Sequence, residues 1–524
     1  MLKHLSNRLW IVAILSLIVL TANIWGTSIY ILDESKNAGC AMEMHQKGEW
    51  IVPTFNGELR TDKPVFHYYF MKTAYSVFGI NSFGARIGSS LMGILTVLTV
   101  FFFTRRMVNE RSAFFASLIL LSSIQMVIQF HLAVPDPYLL SFLTLAWLSF
   151  YYGWSTQQRR FLYLFYLATG LAFLTKGPVA VVFSGLIVLV FLLARRRFTW
   201  RDIKGLHIPQ GALLFAVVAL PWYYLVWRET QGEWIDQFFF KHNVGRFTQT
   251  MEGHGGFPLA SFVILLGGLI PFSFFLPQVL RRLWREREAN GYLVFCAIAM
   301  LTVTVFFAFS RTILPTYIEP ALPFAAIVTG VFFGRLKNYV PDTSKLWISA
   351  LVYLVIGLLL PVAGFIALAQ DPSLSDLTLL SAAFIILSGG AVVGYLFIRR
   401  LNYSATVLAY VSSLIVFLLV FFYVLFPILD ARNPVRKSMT FLRDSHKPVV
   451  YYKDFNPAYV FALKRTLPGL ESVEAVEQLK TQSPGFYIIT EKDHLPELEP
   501  CKLVKRFEGV DLFEGSTTVI LEYL

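Results

Sequence analysis

A chain of 524 residues that is 56% hydrophobic and only 15% charged, with a mean hydropathy of +0.59, is too apolar for a water-soluble enzyme of this size and fits a body dissolved in lipid. Its 45 Lys and Arg exceed its 33 Asp and Glu, for a formal charge of +12, but the excess gathers at the ends of apolar runs, where it reports topology; a nucleic-acid partner is not needed to explain it. Three cysteines, Cys40, Cys296 and Cys501, are too few and too far apart for a cysteine-based metal motif, and Cys40 and Cys501 are expected to stay unpaired.

Thirteen apolar stretches follow one another at residues 9–31, 84–104, 112–130, 137–154, 161–175, 178–194, 208–227, 258–280, 291–309, 317–334, 346–369, 377–398 and 403–427. Each is near the roughly 20 residues that cross a bilayer as a helix, so the fold class expected is an α-helical polytopic membrane protein with about thirteen transmembrane helices. Pro221, Pro271 and Pro323 inside these stretches predict kinks, tolerated in lipid where neighbouring groups satisfy the freed carbonyls. Lys3 and Arg8 precede the first stretch, and Arg105-Arg106, Arg159-Arg160, Arg195 to Arg197, Arg281-Arg282, Arg335 and Arg399-Arg400 close later ones. By the positive-inside rule these mark the cytoplasmic face, with attraction to anionic membrane lipids as a second effect. The first stretch lacks a small-x-small cleavage site and is read as a retained signal anchor.

The opposite face then carries residues 32–83, residues 228–257 and everything after about 428. In the first of these, residues 37–47 suit a short helix, Pro53 and Asn56-Gly57 break it, and residues 66–78, with Tyr68, Tyr69 and Tyr75, suit a helix lying in the interface plane. From Asp430 the composition becomes that of a soluble protein. Strand-like runs at 448–452, 486–490 and 517–523 and helix-like runs at 458–465 and 473–480 predict a small α/β domain outside the membrane. The expected division is a membrane domain over 1–429, with outer loops 32–83 and 228–257, and a soluble domain over 430–524.

Polar residues that can do chemistry fall on that outer face. Asp33 and Glu34 follow the first stretch, with Lys36 one helical turn after Asp33; they are either hydrated anchors at a helix exit or a partly desolvated carboxylate pair with a cation beside it. Asp62-Lys63-Pro64 is either an ordinary polar turn or a site where Lys63 holds a lipid phosphate and Asp62 orients it or binds a cation. Asp136, in Val134-Pro135-Asp136-Pro137, suits helix N-capping as well as catalysis. Lys176, in Leu174-Thr175-Lys176-Gly177-Pro178, sits in an outer turn, where the charge rule disfavours lysine; phosphate binding explains it better than snorkelling does. His242, Arg246, Glu252 and His254 share a loop without a tight metal-ligand spacing.

In order and topology these elements resemble the membrane-embedded glycosyltransferases of the aminoarabinose transferase and protein O-mannosyltransferase type, over roughly the first 335 residues. The resemblance rests on Asp33-Glu34, Asn56-Gly57-Glu58, Asp62-Lys63-Pro64, Ala85-Arg86, Pro135-Asp136, the Leu174 to Pro178 turn, His242 with Arg246-Phe247, and Leu314-Pro315-Thr316-Tyr317 followed by Pro320. It implies a GT-C type fold in a bacterial inner membrane, with active site and C-terminal domain on the periplasmic side. It implies transfer of a sugar from a polyprenyl (undecaprenyl) phosphate to an envelope acceptor, lipid A or another lipopolysaccharide component, without a nucleotide. Asp33, Glu34 and Asp136 would be catalytic; Lys36, Lys63 and Lys176 would hold the donor phosphate. A divalent metal such as zinc would be held by Asp62 and His254. The chain departs from the family pattern where Lys36 replaces an Arg, Asp62 a Glu and Arg60 an aromatic residue, and lysine lacks the bidentate fork of arginine. The competing readings are a protein O-glycosyltransferase, a lipid flippase or transporter, and an envelope scaffold; a transporter would be expected to show polar groups inside several spans and an inverted repeat.

Overall fold

The computed structural model describes residues 7–244, 259–310, 313–336, 345–443, 445, 447–512 and 515–524. Among the described residues seven helices are long and apolar enough to cross a membrane, and up to nine if two bent pairs each count as one span. The protein is therefore multi-pass. The bent pairs are Glu110–Leu121 with Ile124–Phe130, at 70°, and Ala260–Gly268 with Phe272–Arg285, at 109°. The other predicted stretches also lie on helices, but Asn7–Leu20 and Val179–Ala194 are short. The stretch predicted over 9–31 is helical only to Leu20; residues 21–27 turn, with Asn23 at φ 51°.

Lipid-facing helices keep their apolar side chains outward. In Leu346–Gln370, Leu358, Leu359, Val362 and Phe365 are all exposed, as expected where no water competes for them. Inside the bundle, small residues set the approach of helices. A Cβ on Gly330 would stand 2.3 Å from the backbone nitrogen of Ala116, and one on Gly334 would stand 2.5 Å from Ser112 Oγ. Helices Glu110–Leu121 and Leu322–Arg335 thus touch backbone to backbone, a contact that larger side chains would prevent.

At one end of the bundle the segment after the first helix folds back as helix Leu32–Gln46, a two-stranded hairpin (Thr54–Phe55 with Glu58–Leu59) and helix Phe66–Phe78. The last coincides with its predicted range, whereas Leu32–Gln46 starts earlier than expected and takes Asp33 and Glu34 into its first turn, where the helix dipole favours acids. Asn56 at φ 52° and Gly57 at φ 86° make the tight hairpin turn, which needs left-handed backbone at both positions.

The C-terminal part forms a five-stranded sheet in the order Gly469–Leu470, Val449–Tyr452, Phe486–Glu491, Thr517–Tyr523, Val504–Val510. The first three are parallel and the last two pair antiparallel. Val504–Val510 escaped the sequence reading because its Lys505-Arg506 and mostly exposed side chains lack a strand's apolar alternation; it is an edge strand. Cys40 and Cys501 are free and buried, as expected, and burial lifts the Cys40 thiol to about 12. The sheet region meets the membrane part through the hairpin: Asn56 Nδ2 donates to Leu467 O at 3.0 Å and Leu467 N donates back to Asn56 Oδ1 at 2.7 Å, while Gln46 Nε2 donates to Lys464 O at 2.9 Å.

Candidate active site

The two acids that open helix Leu32–Gln46 have opposite fates. Glu34 is 1% exposed and fully engaged. Its Oε1 accepts from Arg86 Nε at 2.7 Å and from Ala133 N at 2.9 Å, and its Oε2 accepts from Arg86 Nη2 at 2.8 Å. Arg86 spends its remaining donors on Ile24 O, Thr27 O, Thr27 Oγ1 and Ser28 O. This ion pair joins the end of the first helix, the start of Ser82–Met107 and the turn before Asp136. Glu34 was expected to be catalytic; in this structure both of its oxygens are occupied in the interior, where they tie these segments together. Asp33 is exposed, and among the described residues its carboxylate has no hydrogen-bond or ion-pair partner. Only its carbonyl is used, by Asn37 Nδ2 at 2.6 Å. Lys36, half-buried, follows Asp33 by one helical turn.

Asp62 and Lys63 are positioned by a buried polar chain. Arg60, 7% exposed, donates from Nε to Tyr68 Oη at 3.0 Å; Tyr68 donates to Asn37 Oδ1 at 3.1 Å, and His67 Nε2 meets the same oxygen at 3.0 Å. Asn37 Oδ1 can only accept, so His67 carries its proton on Nε2. Burial, with the Arg60 and Lys63 charges nearby, holds the His67 imidazole well below its usual range, so it stays neutral. Arg60 Nη2 also faces Asp62 at 3.3 Å, and Trp234 Nε1 clamps Arg60 O at 2.8 Å. Glu43 fixes the hairpin from below, accepting from Thr54 Oγ1 at 2.8 Å, Gly57 N at 3.2 Å and Asn56 N.

Asp136 does not cap its helix. Pro135 takes the cap position, and Asp136 Oδ1 instead accepts from Lys176 Nζ at 2.5 Å, both side chains being about one-seventh exposed (14% and 16%). Lys176 ends helix Arg159–Lys176; Gly177 follows at φ 76°, where a Cβ would strike Phe238, so glycine is required to reverse the chain there. The Lys176 ammonium also sits 5.2 Å from the Tyr317 ring centroid. Glu319, 2% exposed, lies beside this pair with its Oε2 lacking a hydrogen-bond partner among the described residues. The sequence reading passed over Arg86 and Glu319 as site groups, although both stand inside stretches read as spans. An ionisable group at such a position is a signal in itself.

The bonds link the pieces. Arg60, Tyr68 and Asn37 connect the Asp62-Lys63 turn to the Asp33 helix, Glu34 and Ala133 connect that helix to the Asp136 turn, and Asp136 leads to Lys176 and Tyr317. Asp33, Lys36, Asp62, Lys63, Asp136 and Lys176 thus gather at one end of the bundle. Of the expected metal ligands, Asp62 already faces Arg60, His254 lies outside the described residues, and no group of three His, Cys, Asp or Glu forms among the described residues. The described side chains do not by themselves make a metal site.

Residues 62–225 match the family described as dolichyl-phosphate-mannose-protein mannosyltransferase. An undecaprenyl phosphate-alpha-4-amino-4-deoxy-L-arabinose arabinosyl transferase of Pseudomonas aeruginosa is 32% identical over 316 residues, which are 59% of this chain and 56% of that protein. The chain thus matches little more than half the length of that curated relative. An uncharacterized protein of Aquifex aeolicus is 30% identical over 64% of this chain and 75% of its own length. Among solved structures, ArnT from Cupriavidus metallidurans bound to undecaprenyl phosphate superposes with a TM-score of 0.80 at 20% identity, covering 99% of this chain and 98% of that one. The fold is that of the GT-C membrane glycosyltransferases, and the sequence is similar to members of their polyprenyl-phosphate-sugar-dependent family. Within that family, its similarity is to proteins of the arabinosyl transferase kind.

Proposed function

We propose that this protein transfers a glycosyl group from a polyprenyl phosphate to an envelope acceptor, most specifically a lipid A or other lipopolysaccharide acceptor, at the periplasmic face of a bacterial inner membrane. Thirteen spans, a membrane domain over 1–429 and an outer domain over 430–524 belong to the same proposal. The observation that carries it is the contrast within one dipeptide: Glu34 is consumed in holding the fold, while Asp33 presents a carboxylate without a partner among the described residues, with Lys36 one turn later, on a helix linked through Tyr68 and Arg60 to the Asp62-Lys63 turn and through Ala133 to the turn of Asp136, the partner of Lys176.

In the reaction the bond between the sugar carbon and the donor phosphate oxygen breaks, and the acceptor oxygen takes its place. Charge grows on the departing polyprenyl phosphate, where the ammonium groups of Lys36 and Lys63 stabilise it. Lys176 already serves Asp136, and its two remaining N–H donors are aimed by that bond; Asp136 therefore acts through Lys176 as a positioning residue. Asp33 orients the acceptor. An acceptor phosphate, ionised at neutral pH, needs no base, whereas a hydroxyl acceptor would lose its proton to Asp33. A divalent metal at Asp62 and His254 is a separate proposal, tested by elemental analysis of the purified protein, and no step above depends on it.

The test uses purified protein with an undecaprenyl-phosphate-linked aminoarabinose and lipid A, read by the mass gain of the acceptor. Sugar on lipid A that is lost in Asp33→Asn supports the reading; donor turnover without a modified lipid acceptor refutes it. The match to the mannosyltransferase family over 62–225 favours one second reading, a protein acceptor, which peptide substrates in the same assay would reveal.

A further inference from the structure

Away from the candidate site, two adjoining cavities open where the C-terminal region meets the membrane part. The larger, about 460 Å³, is lined by residues that include Trp25, Ser28, Asp430, Arg436 and Phe461; the second, about 380 Å³, includes Lys464 and Arg465, and the two share Arg443 and Ala462. Both volumes fall in the range of small-ligand sites. Trp25 and Tyr423, each about half exposed, meet edge to face with centroids 6.4 Å apart; the first lies just past the end of the first helix and the second near the end of the last span. Exposed aromatic residues at span ends mark the head-group level of a bilayer. The mouth of the groove is therefore level with lipid head groups.

Among the described residues the available charge in the groove is one-sided. Asp430 is 5% exposed and committed: its Oδ2 accepts from Ser28 N, Ser28 Oγ and Arg436 Nη1, at 3.1, 3.1 and 2.7 Å. Arg443, Lys464 and Arg465 are exposed, and among the described residues none of them has a carboxylate partner. Arg443 Nη2 reaches Ala462 O at 3.4 Å, which holds its guanidinium across the seam between the cavities. The floor is apolar, with Val435, Met439 and Phe461. Arg443 joins the apolar floor of the larger cavity to the cationic second cavity of Lys464 and Arg465, and that pairing matches the chemistry of an anionic phospholipid: the charged head in one cavity, glycerol and first methylenes in the other.

We propose that this groove is a binding site for an anionic phospholipid of the surrounding membrane, one whose phosphate charge no choline or ethanolamine cation offsets, separate from the candidate active site and independent of the transfer reaction assigned to it. The shared chemistry is a phosphate group, which could arrive on a lipid or free.

Native mass spectrometry of the full-length protein in detergent tests it, with dioleoyl phosphatidylglycerol and dioleoyl phosphatidylcholine as probes. The wild type is expected to retain phosphatidylglycerol preferentially, and Arg443→Ala with Arg465→Ala to weaken that binding about thirtyfold, since each surface cation contributes about a factor of five. Lys502→Ala with Lys505→Ala, exposed cations of the C-terminal sheet region that do not line the groove, should change nothing. Unchanged melting of the Arg443/Arg465 variant shows that it folds, and Arg443→Lys with Arg465→Lys, which keeps the charge, should restore most of the binding. Equal retention of the two lipids by the wild type, or undiminished phosphatidylglycerol binding in the alanine variant, overturns the proposal. So does displacement of the lipid by millimolar inorganic phosphate, which would make the groove a site for free phosphate.

Discussion

Glu34→Ala should unfold or severely destabilise the protein, whereas Asp33→Asn, one residue away, should leave it folded and impaired in transfer. Glu34 and Arg86 are 1% and 3% exposed, and removing one member of such a buried pair strands the other charge, at a cost of about 3–5 kcal/mol. That is on the order of two to four powers of ten in the folding equilibrium. Two further losses push toward the upper end: Ala133 N gives up its acceptor, and the guanidinium that gathers Ile24, Thr27 and Ser28 is no longer held in its plane. Glu34→Gln keeps one acceptor oxygen and should fall between. The assay is size-exclusion chromatography of a fluorescent fusion for folded yield, thermal melting in detergent, and transfer per folded molecule. A Glu34→Ala protein with normal yield and melting that has nonetheless lost transfer would refute the assignment and return Glu34 to the chemistry.

Asp33→Asn should lower transfer by about a hundredfold or more if the carboxylate takes a proton, and by less if it only positions the acceptor, with melting unchanged; the readout is initial rate on lipid acceptors. Lys63→Ala should weaken binding of undecaprenyl phosphate but not of undecaprenol, with Lys63→Arg recovering part of the loss; equal loss for both ligands would make Lys63 a loop-shaping residue. Reporters fused after Arg197 should read cytoplasmic, and after Ile80 or Asp430 exported, and an exported signal at Arg197 would split the site across two faces. Burial lowers the His494 imidazole, but hydrogen bonds to Asp454 at 3.0 Å and Glu497 at 3.3 Å raise it above its ordinary 6.5 overall. Its folded-state value is thus the higher one, so its contribution to stability is full below about 6.5 and fades as pH rises through the folded value. Melting should be lower at pH 8.5 than at pH 6 by an increment that His494→Gln removes.

Apolar length and basic residues at helix ends are local properties, so the multi-pass architecture, the helix Phe66–Phe78 and three of the sheet strands could be read directly from the order of residues. The candidate site was legible in part for the same reason: Asp33, Lys63 and Lys176 stand out because each is a charge set against its local surroundings. Which of two adjacent acids remains available was not legible, since Asp33 and Glu34 differ only in what lies across from them. Arg86, 52 residues on, and Ala133, 99 residues on, decide it by closing around Glu34. The same holds for Asp136, whose sequence context suits a helix cap and whose actual partner, Lys176, comes from the far end of the next helix. A carboxylate's role depends on whether its oxygens are already paired, and in this chain the pairing partners are supplied by tertiary contacts between segments that local sequence pattern does not connect.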